Sequence, residues 1–179
     1  MRSGAALAVK AEPRRVLHAG CGRREIDRDI FPDWAETRLD IDPECYPDMV
    51  GSMANLDIIG DGEFDAVYTS HALEHLNTHD AAQALREFHR ILKPGGFALV
   101  IVPDLEGIEP TDVPVYESPA GPITGLDMIY GHNVRSSPWM QHRCGYIKST
   151  LERAFVAAGF VRHVVNRASG HNLIGAGSK

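Results

Sequence analysis

The stretch from Phe64 to Pro103, which holds "FDAVYTS", "AAQALREFHRILKPGG" and "FALVIVP", limits the fold more than any other part of the chain. Phe64–Ser70 is a short β-type run stopped by polar residues. In the next segment Ala81, Leu85, Phe88 and Leu92, with Ala84 and Ile91, recur at helical spacing, and Pro94-Gly95-Gly96 forbids continuation. "FALVIVP" is apolar on both faces, as a strand inside a helix-covered parallel sheet must be. Two earlier runs, "RVLHA" (Arg15–Ala19) and "TRLDI" (Thr37–Ile41), supply further strands. Strand and helix signals taking turns predict an α/β protein with a doubly wound, mostly parallel sheet. Near the end, "YIKSTLERAFVAAGF" sets Ile147, Leu151, Ala154, Phe155 and Ala158 on one helical face, with Gly159 as C-cap. "FVRHVVNR" and "NLIGAGSK" then read as strands joined by "ASGH". So short a link permits only an antiparallel hairpin, since a parallel crossover needs about a dozen residues or more.

Composition narrows the function classes. A chain of 179 residues holds one domain with a full core. Its net charge of −6, with no basic block, excludes a phosphate-reading surface, so no nucleic-acid partner is expected. The longest apolar run, "FALVIV", falls far short of the ~20 residues of a membrane-spanning helix. The N-terminal "MRSGAALAVKAEPRR" lacks a signal core, and residues 1–14 are expected to form a disordered lead. Three scattered cysteines, Cys21, Cys45 and Cys144, suit free thiols in a reducing cytoplasm. A homodimer is compatible with this composition but not dictated by it.

One turn carries a chemical signal. "LHAGCGRRE" runs from an apolar strand into Gly20 and Gly22, where missing side chains let a backbone come close to a ligand. In open α/β sheets ligands lie beyond the C-terminal strand ends, where this turn falls, and an acidic residue about 20 positions on binds ribose hydroxyls. Asp40 ends "TRLD" at that separation. Asp42, on the same side of an extended chain, is the alternative.

These residues together resemble the class I S-adenosylmethionine-dependent methyltransferases, specifically their type 11 small-molecule group. "VLHAGCGRR" is similar to the family's cofactor loop, "RLDIDPE" to its ribose-binding segment and "GSMANL" to its adenine-flanking segment. "GEFDAVYTSHALEHL" resembles its fourth strand and short helix, and "EFHRILKPGGFALVIVPD" its next helix and fifth strand. The resemblance implies a Rossmann-like fold with a reversed last strand, and S-adenosylmethionine as cofactor. It places His18, Ala19, Gly20, Cys21, Gly22 and Arg23 around the methionine end, and Asp40, Ile41 and Asp42 at the ribose. Ser52 and Met53 would flank the adenine, with Ser70 and His71 near the sulfonium. The chain departs from the family at His18, where an acidic residue is usual, and at Arg24, where a glycine is frequent. Its first helix is expected to shrink to a turn or so. Arg23 or Arg24 would then pair with the cofactor carboxylate, or with Glu25 or Asp27 at the surface.

His71, His75 and His79 are spaced four apart, a pattern that holds zinc when all three share a helix face. Asn77-Thr78 reads as a break with Thr78 as N-cap of the next helix, which turns His79 away. No further ligand is in sight, and no metal is expected. Residues 104–145 exceed an ordinary connection and are expected to form a substrate-side insert within a single domain over 15–179. Tyr116, Tyr130 and Trp139 are its candidate substrate contacts, with Met128, Ile129 and Met140 as apolar wall and Arg135 and Arg143 as polar groups. His71 is the leading proton acceptor, with His132 and His142 as rivals. The expected activity is methyl transfer to a hydroxyl or amine of a small molecule or sugar-like metabolite. A cofactor-binding partner subunit without turnover and a nicotinamide-dependent oxidoreductase are the alternatives, the latter disfavoured by the terminal hairpin.

Overall fold

Six β-runs and two amphipathic helices expected from the sequence meet around one sheet in the computed structural model, which describes residues 12–118, 121–132 and 138–179. Most of the 1–14 lead and Arg135 lie outside the described residues. The strands in chain order are β1 (Arg15–Ala19), β2 (Ala35–Asp40), β3 (Met49–Val50), β4 (Phe64–Ser70) and β5 (Leu92–Pro103). After them come the outlying β6 (Pro114–Ser118) and β7 (Gly121–Thr124), then β8 (Arg162–Ala168) and β9 (Asn172–Ser178). The main sheet has the order β3-β2-β1-β4-β5-β9-β8. Pairing is parallel from β3 to β5 and antiparallel from β5 through β9 to β8. This is the doubly wound, mostly parallel sheet with an antiparallel C-terminal hairpin. Strand order reverses at β1, between β2 and β4, and there the glycine turn leaves the sheet.

Helix α1 (Thr78–Ile91) buries Ala81, Ala84, Leu85, Phe88 and Ile91, the expected face. Its N-cap is Asn77, one residue before the expected Thr78. The Asn77 side chain accepts from Asp80 N at 3.0 Å and donates to Asp80 Oδ2 at 2.8 Å, a reciprocal tie that a capping Thr78 would not make. Pro94-Gly95-Gly96 stops the helix but not the strand: β5 starts at Leu92, and its register against β4 slips between Phe64 and Ala66. A Cβ on Gly96 would lie 2.9 Å from Asp65 O, so glycine is what fits that bulge.

Strand alternation divides the core in two. Leu17, Val67, Ala98 and Val100 face α1 and α3 (Lys148–Ala157), whose Leu151 and Phe155 are fully buried. Their neighbours Val16, Ala66 and Tyr68 face the opposite way, where Ile26 and Phe31 cover them and Trp34 and Phe97 pack alongside. Residues 20–34 carry turns and no helix, as the shortened first helix required. In residues 104–145, β6 and β7 form a separate antiparallel pair. Next comes α2 (Gly125–Tyr130), whose Thr124 and Asp127 make a capping box, and then a 3-10 turn at Pro138–Met140. Among the described residues no helix is long and apolar enough to cross a membrane.

Candidate active site

The turn after β1 is tied to the end of β2 by a ladder of short bonds. Gly20 N and Cys21 N donate to Leu39 O at 2.9 and 3.1 Å, and Gly22 N donates to Asp40 Oδ2 at 2.7 Å. Asp42 N donates to the other Asp40 oxygen at 2.9 Å. From the same strand, the Arg38 guanidinium donates to Gly22 O at 2.7 Å and to Tyr46 O at 3.2 Å. Arg38 was not singled out in the sequence. Its signal was its place two residues before Asp40, on the same side of an extended strand.

The two glycines, with φ of +70° and +52°, do different work. A Cβ on Gly20 would sit 2.3 Å from Ala72 Cβ, so this glycine lets the turn touch the segment after β4. A Cβ on Gly22 would meet nothing within 4 Å. Gly22 therefore faces open space, as the cradle of a ligand would.

A single cleft opens there. Gly20, Gly22, Asp40, Ile41, Asp42 and Cys45 form one wall, with Gly51, Ser52 and Met53 beside them. His71, Ala72, His75 and Leu76 form the facing wall, and Trp139, Met140 and Arg143 close one end. Five residues expected at the cofactor are not among its lining. The His18 ring is buried on the sheet face away from α1, its Nδ1 2.8 Å from Glu36 Oε1 and its ring centroid 5.1 Å from that of Tyr68. Burial lowers its pKa, against the opposing pull of Glu36. An internal partner thus accounts for a histidine where the family has an acid. Ala19 and Cys21 are buried, and desolvation raises the Cys21 thiol to about 11. Ser70 ends β4 without reaching the cleft, and Arg23 and Arg24 are exposed.

The wall after β4 is built by a 3-10 turn, Leu73–His75, entered through His71 at φ +52°. Glu74 points inward with a side chain only 2% exposed, and neither carboxylate oxygen has a hydrogen-bond partner. The His71 ring approaches it, with Nδ1 3.5 Å from Oε1, beyond normal hydrogen-bond length. Burial pushes the Glu74 carboxyl up, but His71 and then His75 outweigh it and leave the group below its ordinary value.

Residues 141–144 dock on this turn. Arg143 N and Cys144 N both donate to Glu74 O, at 2.9 and 3.2 Å. The His75 and His142 ring centroids come to 5.0 Å. His142 and His132 do not line the cleft: the former sits 2.9 Å from Met128 O, and the latter 3.4 Å from Asp127 of the α2 cap. Of the three aromatic candidates only Trp139 borders the cleft. Tyr116 packs near His171, and Tyr130 is exposed. His79 lies exposed in the first turn of α1, as expected. The side chains that do gather at His75 are Glu74 beside it and His142 from far along the chain. Ligand atoms of Glu74, His75 and His142 all lie within 4.8 Å of one another.

Residues 17–100, from β1 through most of β5, match a family model described as a methyltransferase domain. Among curated proteins, none matches the sequence. Among solved structures, the chain is similar to a SAM-dependent methyltransferase of Archaeoglobus fulgidus, with TM-score 0.65, 15% identity and coverage of 93% of this chain and 86% of that one. It is equally similar to a S-adenosylmethionine-dependent methyltransferase of Mesorhizobium loti, with TM-score 0.65 and 16% identity over 92% and 90% of the two chains. A third is the 1,6-didemethyltoxoflavin-N1-methyltransferase of Burkholderia thailandensis, solved with bound 1,6-didemethyltoxoflavin and S-adenosylhomocysteine, with TM-score 0.60 and 20% identity over 93% and 71%. The matched segment spans the glycine turn, the end of β2 and the turn after β4. The chain thus carries a methyltransferase-domain match over residues 17–100 and shares the fold of S-adenosylmethionine-dependent methyltransferases.

Proposed function

We propose that the cleft binds S-adenosylmethionine along Gly22, Asp40 and Met53 and that a small-molecule acceptor enters beside Trp139, Met140 and Arg143. The observation that carries this reading is the continuity of the cleft from the glycine turn to Trp139. The lining suits an amphipathic cofactor. Gly22 leaves room for a backbone-like chain, and Asp40 and Asp42 offer carboxylates to hydroxyls. Ile41, Met53 and Leu76 present apolar surface, Met53 through a polarizable thioether suited to an aromatic ring. When bound, the cofactor supplies a methyl group already activated by positive sulfur. The protein's task is then alignment and exclusion of water, and alignment alone is worth up to about 7–11 kcal/mol in ideal cases.

Of the three candidate histidines, His71 borders the cleft and is assigned the acceptor proton; His132 and His142 are held elsewhere by Asp127 and Met128. Residues 104–145 act as the substrate-side insert of a single domain over 15–179. The acceptor is a hydroxyl or amine of a small molecule, and the neighbour solved with bound 1,6-didemethyltoxoflavin supports the small-molecule part of this reading. Calorimetric titration with S-adenosylhomocysteine and with NADH tests the cofactor: binding of the first and not the second is expected, and the reverse would overturn the reading. Product formation across a panel of hydroxylated and amino acceptors tests the reaction. Binding without any product would instead leave the protein a cofactor-binding partner subunit.

A further inference from the structure

We infer that Glu74, His75 and His142 form a binding site for a divalent transition-metal ion on the wall of the cleft. Both imidazoles are prepared for this in the same way. His75 Nδ1 lies 3.2 Å from Gln141 O, and His142 Nδ1 lies 2.9 Å from Met128 O. A carbonyl oxygen only accepts, so each Nδ1 is the donor, and in the neutral ring Nε2 then presents its lone pair. Metal-ligating histidines are fixed by this pattern, in which the outer nitrogen is tied to a carbonyl and the inner one is available.

The carboxylate supplies the independent observation. Glu74 is 1% exposed, and both its oxygens are buried without a hydrogen-bond partner. A buried anion left so is costly unless a cation meets it, and the 3.5 Å approach of His71 leaves most of its capacity unused. Its backbone carbonyl, by contrast, is doubly satisfied by Arg143 and Cys144. The same two bonds dock the chain beside His142 against the turn, so the main-chain ties assemble the donor set while the carboxylate stays open. Donor atoms within 4.8 Å of one another can close on one ion with small rotamer adjustments.

Donor chemistry selects the ion. Two imidazole nitrogens and one carboxylate suit zinc, cobalt, iron or manganese rather than calcium or magnesium, which prefer oxygen shells. Three protein ligands also leave coordination positions free, the arrangement of reactive rather than purely structural metal sites. His75 belongs to both the donor set and the cleft lining, so those positions lie on the side from which an acceptor oxygen arrives. The acceptor's approach rests on the proposed function; the metal site itself does not.

Untagged protein stripped with a chelator and titrated with Co²⁺ tests the site, read by visible d–d absorption and by metal content after desalting. One tightly held equivalent is expected, displaced by Zn²⁺ and unaffected by excess Mg²⁺. Glu74→Gln and His142→Ala should each weaken Co²⁺ by more than the roughly 10–100-fold that loss of an outer partner costs, while His79→Ala, at an exposed position of α1, should change nothing. Absence of a stoichiometric Co²⁺ signal in the wild-type protein would overturn the proposal whether or not the variants fold. So would binding lost in His79→Ala but kept in His142→Ala. S-adenosylhomocysteine titrated in parallel separates the two readings: its binding without Co²⁺ removes the metal site alone, and Co²⁺ binding without it removes the cofactor assignment alone.

Discussion

The two walls of the cleft are held by different means. On the cofactor side, the β1 turn and the end of β2 are joined by bonds between residues 16 to 19 apart, most of them main-chain to main-chain or to the Asp40 carboxylate. On the acceptor side, the turn at 71–75 is joined to 141–144 by contacts that span 66 residues or more, such as His75 to Gln141 O and Cys144 Sγ to Leu73 O. A wall made by strand ends inherits its shape from the sheet. A wall made by docking two distant loops takes its shape from a few contacts far apart in sequence, and substrate choice can change there without disturbing the cofactor cradle.

Gly20 is the point where the two sides touch, and breaking it should have the largest effect. Gly20→Val combines a φ of +70° with a Cβ 2.3 Å from Ala72, and a loss of about 3 kcal/mol is expected from left-handed strain and overpacking together. Gly22→Ala has the same backbone problem but open space, so it should cost about 1 kcal/mol. Thermal or urea unfolding checks the order. Equal losses at both positions would mean that the contact with Ala72 yields freely. The structure thus changes what a Gly20 substitution reports: it collides with the neighbouring turn before it reaches any cofactor.

Within the cofactor side, the carboxylates can be ranked. Asp40 joins Gly22 N and Asp42 N, whereas Asp42 caps only the short turn at Glu44 N, 2.9 Å away. Asp40→Ala should weaken S-adenosylhomocysteine by about 1.5–3 kcal/mol, and Asp42→Ala by less. Calorimetry decides between them, and the reverse order would assign the ribose to Asp42.

On the acceptor side, Trp139→Ala should raise the KM for the acceptor about tenfold while leaving S-adenosylhomocysteine affinity unchanged, the size expected for removing a large aromatic contact. A parallel loss in both would show that Trp139 serves the cofactor, and that the two walls are less separate than their bonding suggests.

The same contrast explains what the sequence made legible. β1 and β4 and the hairpin of β8 and β9 follow from periodicity and turn chemistry acting over a few residues. So do the glycine turn and Asp40 at the end of β2. Arg38 was overlooked because its place two residues before Asp40 does not by itself separate a strand arginine that clamps a loop from one that is merely solvated. His18 was assigned by its place in a motif, but strand alternation sends its ring to the sheet's other face, against Glu36 and Tyr68. The grouping of His75 with His142 was beyond reach for another reason: it depends on how the 66 residues of intervening chain fold. Spacing instead suggested His79, which the Asn77 cap carries onto α1.

The smallest effect expected concerns acid, and it should fall on the cofactor side alone. Ser52 and Met53 continue into a segment that α1 holds from below: Glu87 accepts from Leu56 N at 3.1 Å, and Arg90 donates to Leu56 O, Ile59 O and Glu87. The hydrogen bond from Arg90, against some opposing desolvation, keeps the Glu87 carboxyl below its ordinary value. Folded protein therefore holds this proton less tightly than unfolded chain. The stabilisation is complete above the unfolded carboxyl's pKa of about 4.3 and is lost as pH falls through the lower folded value. Glu87→Gln should cost about 1 kcal/mol at neutral pH, the worth of one net hydrogen bond, and nothing once wild-type Glu87 is itself protonated. Stability curves of the two proteins against pH should accordingly converge in acid, with amide exchange at 55–60 rising before exchange at 71–75. Curves that stay parallel would mean that Glu87 acts through packing rather than charge, and simultaneous exchange in both segments would mean that the two walls open as one unit.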